Sequence, residues 1–420
     1  MNGPSSTSSS SAAARKSAGA SSGDSSDICI VGNGAIGKTA ALALAQAGLR
    51  VTLLAPVQLP VAAASEQASW DVRVYAVNQI AYDLLSLIKV WDALDAERVA
   101  VVDGMDVTGD ADNHPGHLTF DAYSARVDAL AWIVEDRNLN AALDAALKFS
   151  PNVRVVNGRA VSLHADQQSV SLQLENGDVL NASLLVGADG GQSWVRGQCD
   201  IGLDYRAYGQ RAIVTNFACE KAHQGVAYQW FTGAEGVVAL LPLPGQRVSL
   251  VWSAPDVLAE TLLRQPAAQL AQHLAKYAGH ALGALTPLEP EVVRDFPLRL
   301  IKPHAMTAPR VALIGDAAHV IHPLAGHGMN LGFADIVALL KVIGEREQQR
   351  DCGDARVLNR YARARKEEVL LMQLATDGLA RLFETGIEPL RMARNIGLNL
   401  VNRLPVLKRR LMAHALGKHI

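Results

Sequence analysis

The stretch Asp27–Pro56, DICIVGNGAIGKTAALALAQAGLRVTLLAP, constrains the fold more than any other part of the chain. Its apolar run Ile28–Val31 reads as a buried strand. Gly32, Gly34 and Gly37 follow at GxGxxG spacing, then a helix over Ala35–Ala47, Gly48 as its C-cap and a second strand over Val51–Leu54. The first glycine permits a tight turn, the second lets a pyrophosphate approach the backbone, and the third lets helix pack on strand. Strand, glycine turn and helix in that order predict a dinucleotide site on a parallel α/β sheet. One position departs from the pattern. An acid is expected at the end of the second strand to hold the adenosine ribose, but Ala55 stands there, followed by Pro56. The ribose contact is therefore expected from backbone groups or from a side chain elsewhere.

Arg310–Leu340, RVALIGDAAHVIHPLAGHGMNLGFADIVALL, repeats the logic. A short apolar strand, Val311–Ile314, breaks at Gly315-Asp316, crosses a loop holding Pro323, Gly326 and Gly328, and enters an apolar helix from Asn330. Backbone N–H groups at such a helix start can face an electron-rich ligand. Asp316, at the strand's carboxyl end, either accepts hydrogen bonds from ligand hydroxyls or caps a helix turn. A third junction, LVGADGGQSWVR at Leu185–Arg196, places Asp189 much as Asp316 is placed, with Ser193, Trp194 and Arg196 on a short helix. Two strand–Gly–Asp junctions beside a GxGxxG are hard to explain as independent caps.

At 420 residues and 49% hydrophobic, the chain is long enough for one large or two medium domains with a sizeable core. The net charge of −2 gives no overall pull toward nucleic acid. Cys29, Cys199, Cys219 and Cys352 lie far apart, which suits a reducing compartment and argues against a thiolate metal site. No run reaches the about 20 apolar residues that a spanning helix needs. Residues 1–26, mostly Ser, Ala and Gly, are expected to be a disordered tail; the Ser content also fits an organelle transit peptide, though with little arginine.

Between the junctions, WDVRVYA at Trp70–Ala76 leads into a helix over Asn78–Leu94, and Arg73 either faces a ligand or lies on the surface. Residues 100–125 read as turn-rich, with His114-Pro115-Gly116 marking a loop. A helix from about Leu130 to Leu147 carries Glu135 and Asp136 near its start, where acids suit the helix dipole; Arg137 gains nothing from that dipole, which leaves room for a ligand role. Val153–Val156, Val161–Ala165, Ser169–Leu174 and Val179–Leu184 are strands, the last two joined by Asn176-Gly177. Arg211–Ala218, Val226–Phe231, Gly236–Leu241 and Arg247–Ser253 predict an antiparallel sheet inserted in the nucleotide domain. Phe217, Tyr228, Trp230, Phe231 and Trp252 within it line a pocket or fill a core. Helices are expected over Arg356–Leu374, Asp377–Phe383 and Leu390–Leu416. From Pro389 onward there are seven Lys or Arg and no acid, a basic segment suited to an anionic membrane surface, a solvated face or an oligomer contact.

The predicted fold class is α/β with an α+β insert. The nucleotide-binding Rossmann-like domain is expected over 27–204 and 295–345, the antiparallel-sheet substrate domain over 205–294, and the C-terminal helical region over 346–420. The three junctions together, GxGxxG at Gly32, GADG at Gly187–Gly190 and GDAAHxxHPLAGxGxNLG at Gly315–Gly332, resemble the FAD-dependent aromatic hydroxylases. DxRVYAxN at Asp71–Asn78, AIVxN at Ala212–Asn216, ALLPLP at Ala239–Pro244 and HPLAGHGMN at His322–Asn330 resemble, more closely, the ubiquinone-biosynthesis hydroxylases. The resemblance runs from Asp27 nearly to the C-terminus, with Ala55 in place of the usual acid and His327 where glutamine is usual.

That resemblance implies FAD as cofactor, NAD(P)H as transient reductant and O2 as co-substrate. A flavin C4a-hydroperoxide would pass oxygen to the ring of a polyprenylated phenol. It implies that Gly32, Gly34 and Gly37 hold the FAD pyrophosphate and that Arg137 lies near the cofactor. Asp316 would bind the ribityl chain, the backbone at Gly328, Met329 and Asn330 would face the flavin's pyrimidine edge, and Pro323 would sit near its reactive edge. Asp189 and Gly190 belong to the motif linked to FAD and NAD(P)H contact. No catalytic acid or base stands out; His322, beside Pro323, is the candidate proton handler. His319 and His322 form HxxH without a third ligand, so no metal is expected. Other implied partners are a membrane surface, reached through the basic C-terminal helices, and sister enzymes of the ubiquinone pathway. The expected location is cytoplasmic and peripheral to the inner membrane, or else the mitochondrial matrix side. A soluble aromatic substrate and a non-catalytic scaffold role are the competing readings.

Overall fold

Strand β1 (Ser25–Val31) buries Ile28 and Ile30 completely and runs into helix α1 (Ala35–Gln46), in which every residue from Ala35 to Ala45 except Ile36 is buried. A helix of small residues buried all round has neighbours on several sides. Here they are the sheet, α4 (Asp136–Lys148) and α8 (His327–Gly344). A Cβ at Gly332 of α8 would come within 2.8 Å of the Ile36 side chain, so glycine sets how closely α8 approaches α1. The structure, a computed structural model, describes residues 25–56, 69–111, 115–322, 327–384 and 388–404. The expected tail at 1–26 lies outside them but for Ser25 and Ser26, which already pair with Asn181 and Ala182.

The first sheet is built on five parallel strands in the order β19 (Val311–Leu313), β11 (Val179–Gly187), β1, β2 (Val51–Ala55) and β8 (Val153–Asn157). Antiparallel β18 (Thr307–Ala308) flanks β19, and β9 (Ala160–Ala165) and β10 (Val170–Leu174) extend the sheet from β11. Leu184, Leu185 and Val186 are fully buried, as expected of a parallel strand covered on both faces. A three-stranded sheet, β3 (Val74–Val77), β7 (Ala131–Glu135) and β4 (Val99–Val102), stands beside it, with α2 (Gln79–Leu87) capped by Asn78.

The third sheet runs β16 (Leu285–Pro287), β12 (Leu203–Cys219), β15 (Arg247–Pro255), β14 (Val237–Leu243), β13 (Val226–Phe231), β5 (Gly104–Thr108) and β6 (His117–Asp121). A further strand, β17 (Arg294–Pro303), also pairs with β12. All neighbours are antiparallel except β13 and β5. One face packs Trp252, Phe217 and Leu250 against α6 (Asp256–Leu263) and α7 (Ala267–Leu282); the other is the floor of a cavity.

The structure departs from the sequence reading in four places. Residues 100–125 are three strands and a one-turn helix, α3 (Ala122–Ala125), and two of those strands join the third sheet. The expected helix from Leu130 begins at Asp136, because Ala131–Glu135 pairs between Val74–Val77 and Val99–Val102. The helix after Asn78 ends at Leu87, before a short turn at Trp91–Ala93. The two expected helices between 356 and 383 are one, α9 (Ala355–Glu384). The last described helix, α10 (Glu388–Arg403), lies along β6. Asn395, Asn399 and Asn402 accept hydrogen bonds from the backbone N–H groups of Gly116, His117 and Thr119 at 2.7, 2.9 and 3.3 Å. Three side-chain amides thus cover a strand edge that would otherwise be open to pairing.

Candidate active site

The turn between β1 and α1 meets the end of β11 so closely that a Cβ on Gly32, at φ +115°, would lie 2.3 Å from the Ala188 carbonyl oxygen. A Cβ on Gly37 would lie 1.9 Å from the Gly32 carbonyl oxygen. Gly37 is thus a packing residue, whereas Gly32 and Gly34 line the cavity beside it. No side chain caps α1 and no acid sits in its first turn, so its leading N–H groups are left for a ligand. Uncapped N–H groups at a positive helix end are an anion site.

The cavity, 1590 Å³, exceeds the roughly 300–1,000 Å³ of an ordinary small-molecule pocket. One arm runs past Gly32–Ile36, Leu54 and Pro56, Asn140, Gly158–Ala160, Ala188–Gly190 and Ile314–Asp316 to Gly328, Met329 and Asn330 in the first turn of α8. Asp316 accepts no hydrogen bond from the described residues. Burial among the walls pushes its carboxyl above the ordinary range, against the pull of His319, Arg299 and Arg73. The side chain is nonetheless exposed, because the space it faces is the cavity. An acceptor in that state suits ligand hydroxyls.

Asp189 is engaged differently. It lines the cavity, but its carboxylate accepts from Ser193 Oγ at 2.6 Å and from the Val195 N–H at 3.0 Å, capping the short helix α5 (Trp194–Gln198). Asn330 lines the cavity while its amide ties α8 to the start of α2, donating to the Ala76 carbonyl at 2.7 Å and accepting from the Asn78 N–H at 3.0 Å. Arg137 is not brought to the cavity lining among the described residues. Its guanidinium donates to the Ser69 carbonyl at 3.1 Å and its backbone N–H to Asp71, which holds the segment leading to β3. Its neighbours explain the acids: buried Glu135 pairs with Arg98, and Asp136 accepts from Tyr75 Oη at 2.7 Å. Pro323 lies outside the described residues. His322 is fully buried behind the lining, 3.0 Å from Gln210 Oε1 and edge-on to Tyr208, and burial pushes it down to about 4. It is neutral at pH 7.

Two groups have roles that the sequence reading does not assign. Arg196, 6% exposed, donates to the Ala317 carbonyl at 3.0 Å and the Gly191 carbonyl at 2.7 Å, which ties the Asp189 and Asp316 junctions together. Asp335, fully buried on α8, accepts from the Gly315 N–H at 2.9 Å, His319 Nε2 at 2.7 Å and Arg365 Nε at 2.7 Å. Burial alone would raise its carboxyl, but His319 and Arg365 outweigh that and hold it below the ordinary range. An acid inside the apolar run LGFADIVALL is the signal that could find it, since such a group is buried only with partners.

The second arm crosses the third sheet. Register places Leu118, Val107, Gln229, Ala239, Val251 and Val214 in one row across six strands, and Phe231, Val237, Ser253, Ala212 and Phe296 in the next. All of them line the cavity, and all but Gln229 and Ser253 are apolar. Leu371, Met372, Leu379 and Phe383 of α9 and Leu398 and Val401 of α10 close the far end, where Phe383 stacks on Phe231 at 3.7 Å.

A glycine cradle at an uncapped helix, an unpartnered carboxylate and an apolar chamber opening from them fit FAD and an aromatic substrate, the working parts of an FAD-dependent aromatic monooxygenase. Residues 25–372 match the model of the FAD binding domain family. The chain is 36% identical over 398 residues to 3-demethoxyubiquinol 3-hydroxylase of Escherichia coli, across 93% of this chain and 98% of that protein. It is also 36% identical over 393 residues to ubiquinone hydroxylase UbiL of Rhodospirillum rubrum, across 93% and 89%. Among solved structures, PqsL, a probable FAD-dependent monooxygenase from Pseudomonas aeruginosa, shares the fold with TM-score 0.72 at 22% identity, over 89% of this chain and 99% of that one. The chain belongs to the FAD-dependent ubiquinone-biosynthesis hydroxylases.

Proposed function

We propose that this hydroxylase acts on the ring of a polyprenylated phenol, using NAD(P)H and O2. The observation that carries the reading is the continuity of the cavity: its polar arm suits a dinucleotide and its apolar arm is long enough for a ring with a lipid tail. Bound FAD supplies the electron transfer and oxygen activation, and the protein supplies position, electrostatics and a dry chamber. Gly32, Gly34 and the N–H groups opening α1 would hold the pyrophosphate, with Gly37 keeping that helix close. Asp316 would accept from the ribityl hydroxyls, and Gly328, Met329 and Asn330 would present the positive end of α8 to the pyrimidine edge. Asp189 and Gly190 would shape the cradle wall, Arg137 would act through Ser69, and Pro323 would face the reacting edge. His322, neutral and buried, would support the loop rather than exchange protons with substrate.

FAD is held by 27–204 with 295–345 and substrate by 205–294, with 104–121 lent to the substrate sheet. The helical region from 346 would close the tail channel and rest on an anionic lipid surface, beside other enzymes of the pathway. No helix among the described residues is long and apolar enough to cross a membrane, so the contact would be peripheral.

Quinone profiling by mass spectrometry in cells lacking the gene tests the reading. An under-hydroxylated polyprenyl phenol should accumulate and be cleared by the wild-type chain but not by an Asp316→Ala copy, for which FAD affinity falls at least about tenfold. Unchanged ubiquinone in the deletion strain would contradict it.

A further inference from the structure

We propose that Gln229 and Ser253 recognise the oxygen substituents of the aromatic ring and bracket it on the sheet floor. The proposal rests on the hydroxylase reading above and adds the groups that choose and orient the ring. Gln229 is 6% exposed and Ser253 4% exposed, both line the cavity, and neither side chain has a hydrogen-bond partner among the described residues. Their backbones belong to β13 and β15, so the ladder gives these side chains nothing to do. Tyr228 and Trp230, on either side of Gln229, stack on each other on the opposite face of the sheet, which leaves the Gln229 amide facing the cavity.

Their polar atoms open onto the cavity and are not sealed in the packed sheet. In a chamber filled by an apolar ligand a polar atom without a partner is unfavourable, and leucine or alanine would suit this floor better on packing grounds alone. The cost is offset when a ligand supplies the missing partner. An amide both donates and accepts, and a hydroxyl does the same, so each can take a phenol O–H, a methoxy oxygen or a carbonyl. The register sets the spacing. Gln229 faces Ala239 and then Val251, and Ser253 lies two residues further along that last strand. Two strand spacings and two residues put the positions roughly 12 Å apart. That span accommodates one aromatic ring with oxygens on opposite edges and a hydrogen bond of about 2.8 Å at each. Ser253 lies toward Ala212 and Phe296, over which Arg73 sits at 4.8 Å, and Gln229 toward Val107 and the C-terminal helices. The ring would therefore lie between the flavin arm and the tail channel.

The test uses the full chain loaded with FAD, with para-methoxyphenol and phenol as probes, and the same pair bearing a geranyl chain. Binding is read from the change in flavin absorbance, and turnover from kcat, KM and the H2O2 released per NAD(P)H. The wild type should bind the methoxy member of a pair at least tenfold tighter than its partner. Of Gln229→Leu and Ser253→Ala, the variant that loses the methoxy contact should bring that ratio toward one with affinity for the plain phenol unchanged. The other should weaken both members of the pair alike, and both should raise H2O2 release with FAD affinity unchanged. A ratio that persists in both variants overturns the proposal. If only the untailed pair binds, the lipid-tail reading fails and the ratio is read on that pair; if neither pair binds, both readings fail.

Discussion

The close backbone approach at Gly32 and the cavity-facing carboxylate of Asp316 are set locally, which is why both positions stand out in the amino-acid sequence. A glycine where a side chain would strike the Ala188 carbonyl, and an acid ending a strand at a glycine, each leave a mark within a few residues of sequence. Asp189 carries the same mark and also lines the cavity, but its oxygens accept from Ser193 and Val195. His322 shows what position alone hides: burial, not a neighbouring charge, pushes it from 6.5 down to about 4. The unfolded chain therefore takes up a proton between pH 6.5 and 4 that the folded chain refuses. Stability is full above pH 6.5 and falls as pH drops through that window, by about 3 kcal/mol from this residue in total. Urea unfolding at pH 7.5 and 5 should show His322→Gln losing about 2 kcal/mol less than wild type between the two. Equal losses would mean that His322 is not the group responsible. Gln229 and Ser253 leave no mark in the sequence because their meaning lies in rows that cross six strands.

Among the elements, α10 shows how packing on one face defines the other. Asn395, Asn399 and Asn402 face the edge of β6, and Arg394 pairs with buried Asp110, Nε to Oδ1 at 3.0 Å. The face left outward holds Met392, Ile396, Leu400 and Leu404, all exposed and spaced by four. The chain from Pro389 onward adds seven basic residues and no acid. An exposed apolar stripe in a segment of basic composition suits an anionic bilayer surface. Ile396→Asp with Leu400→Asp should abolish co-sedimentation with anionic vesicles, leave Tm within a few degrees of wild type, and mimic the effect of high salt. Vesicle binding that survives both changes would remove α10 from the membrane reading. Strands β5 and β6 escape a sequence reading although Met105 and Val107, then Leu118 and Phe120, alternate as strands require. Runs of five residues beside a His-Pro-Gly loop carry too little periodicity to stand out. Helix α9 reads as two helices in sequence because Thr376, Asp377 and Gly378, all poor helix formers, interrupt its apolar run. It begins beside the parallel sheet, where Tyr361 donates to the Leu313 carbonyl and Arg365 to Asp335, and ends at the apolar arm of the cavity at Phe383.

For the whole molecule, the central fact is one chamber shared by two sheets and two C-terminal helices. The parallel sheet contributes the glycine cradle and Asp316, the third sheet an apolar floor with two polar side chains, and α9 and α10 the far wall. That one sheet is parallel and another antiparallel is readable from spacing and strand length. The apolar arm of the cavity is not, since its walls come from residues as far apart as Met105 and Val401. The measurement that tests this account most directly is turnover of a geranylated phenol by the FAD-loaded protein with NAD(P)H under labelled dioxygen, with the product read by mass spectrometry. The account predicts one labelled oxygen on the ring for each NAD(P)H consumed, with little H2O2. Oxidation of NAD(P)H that yields only H2O2 and unaltered phenol would contradict it.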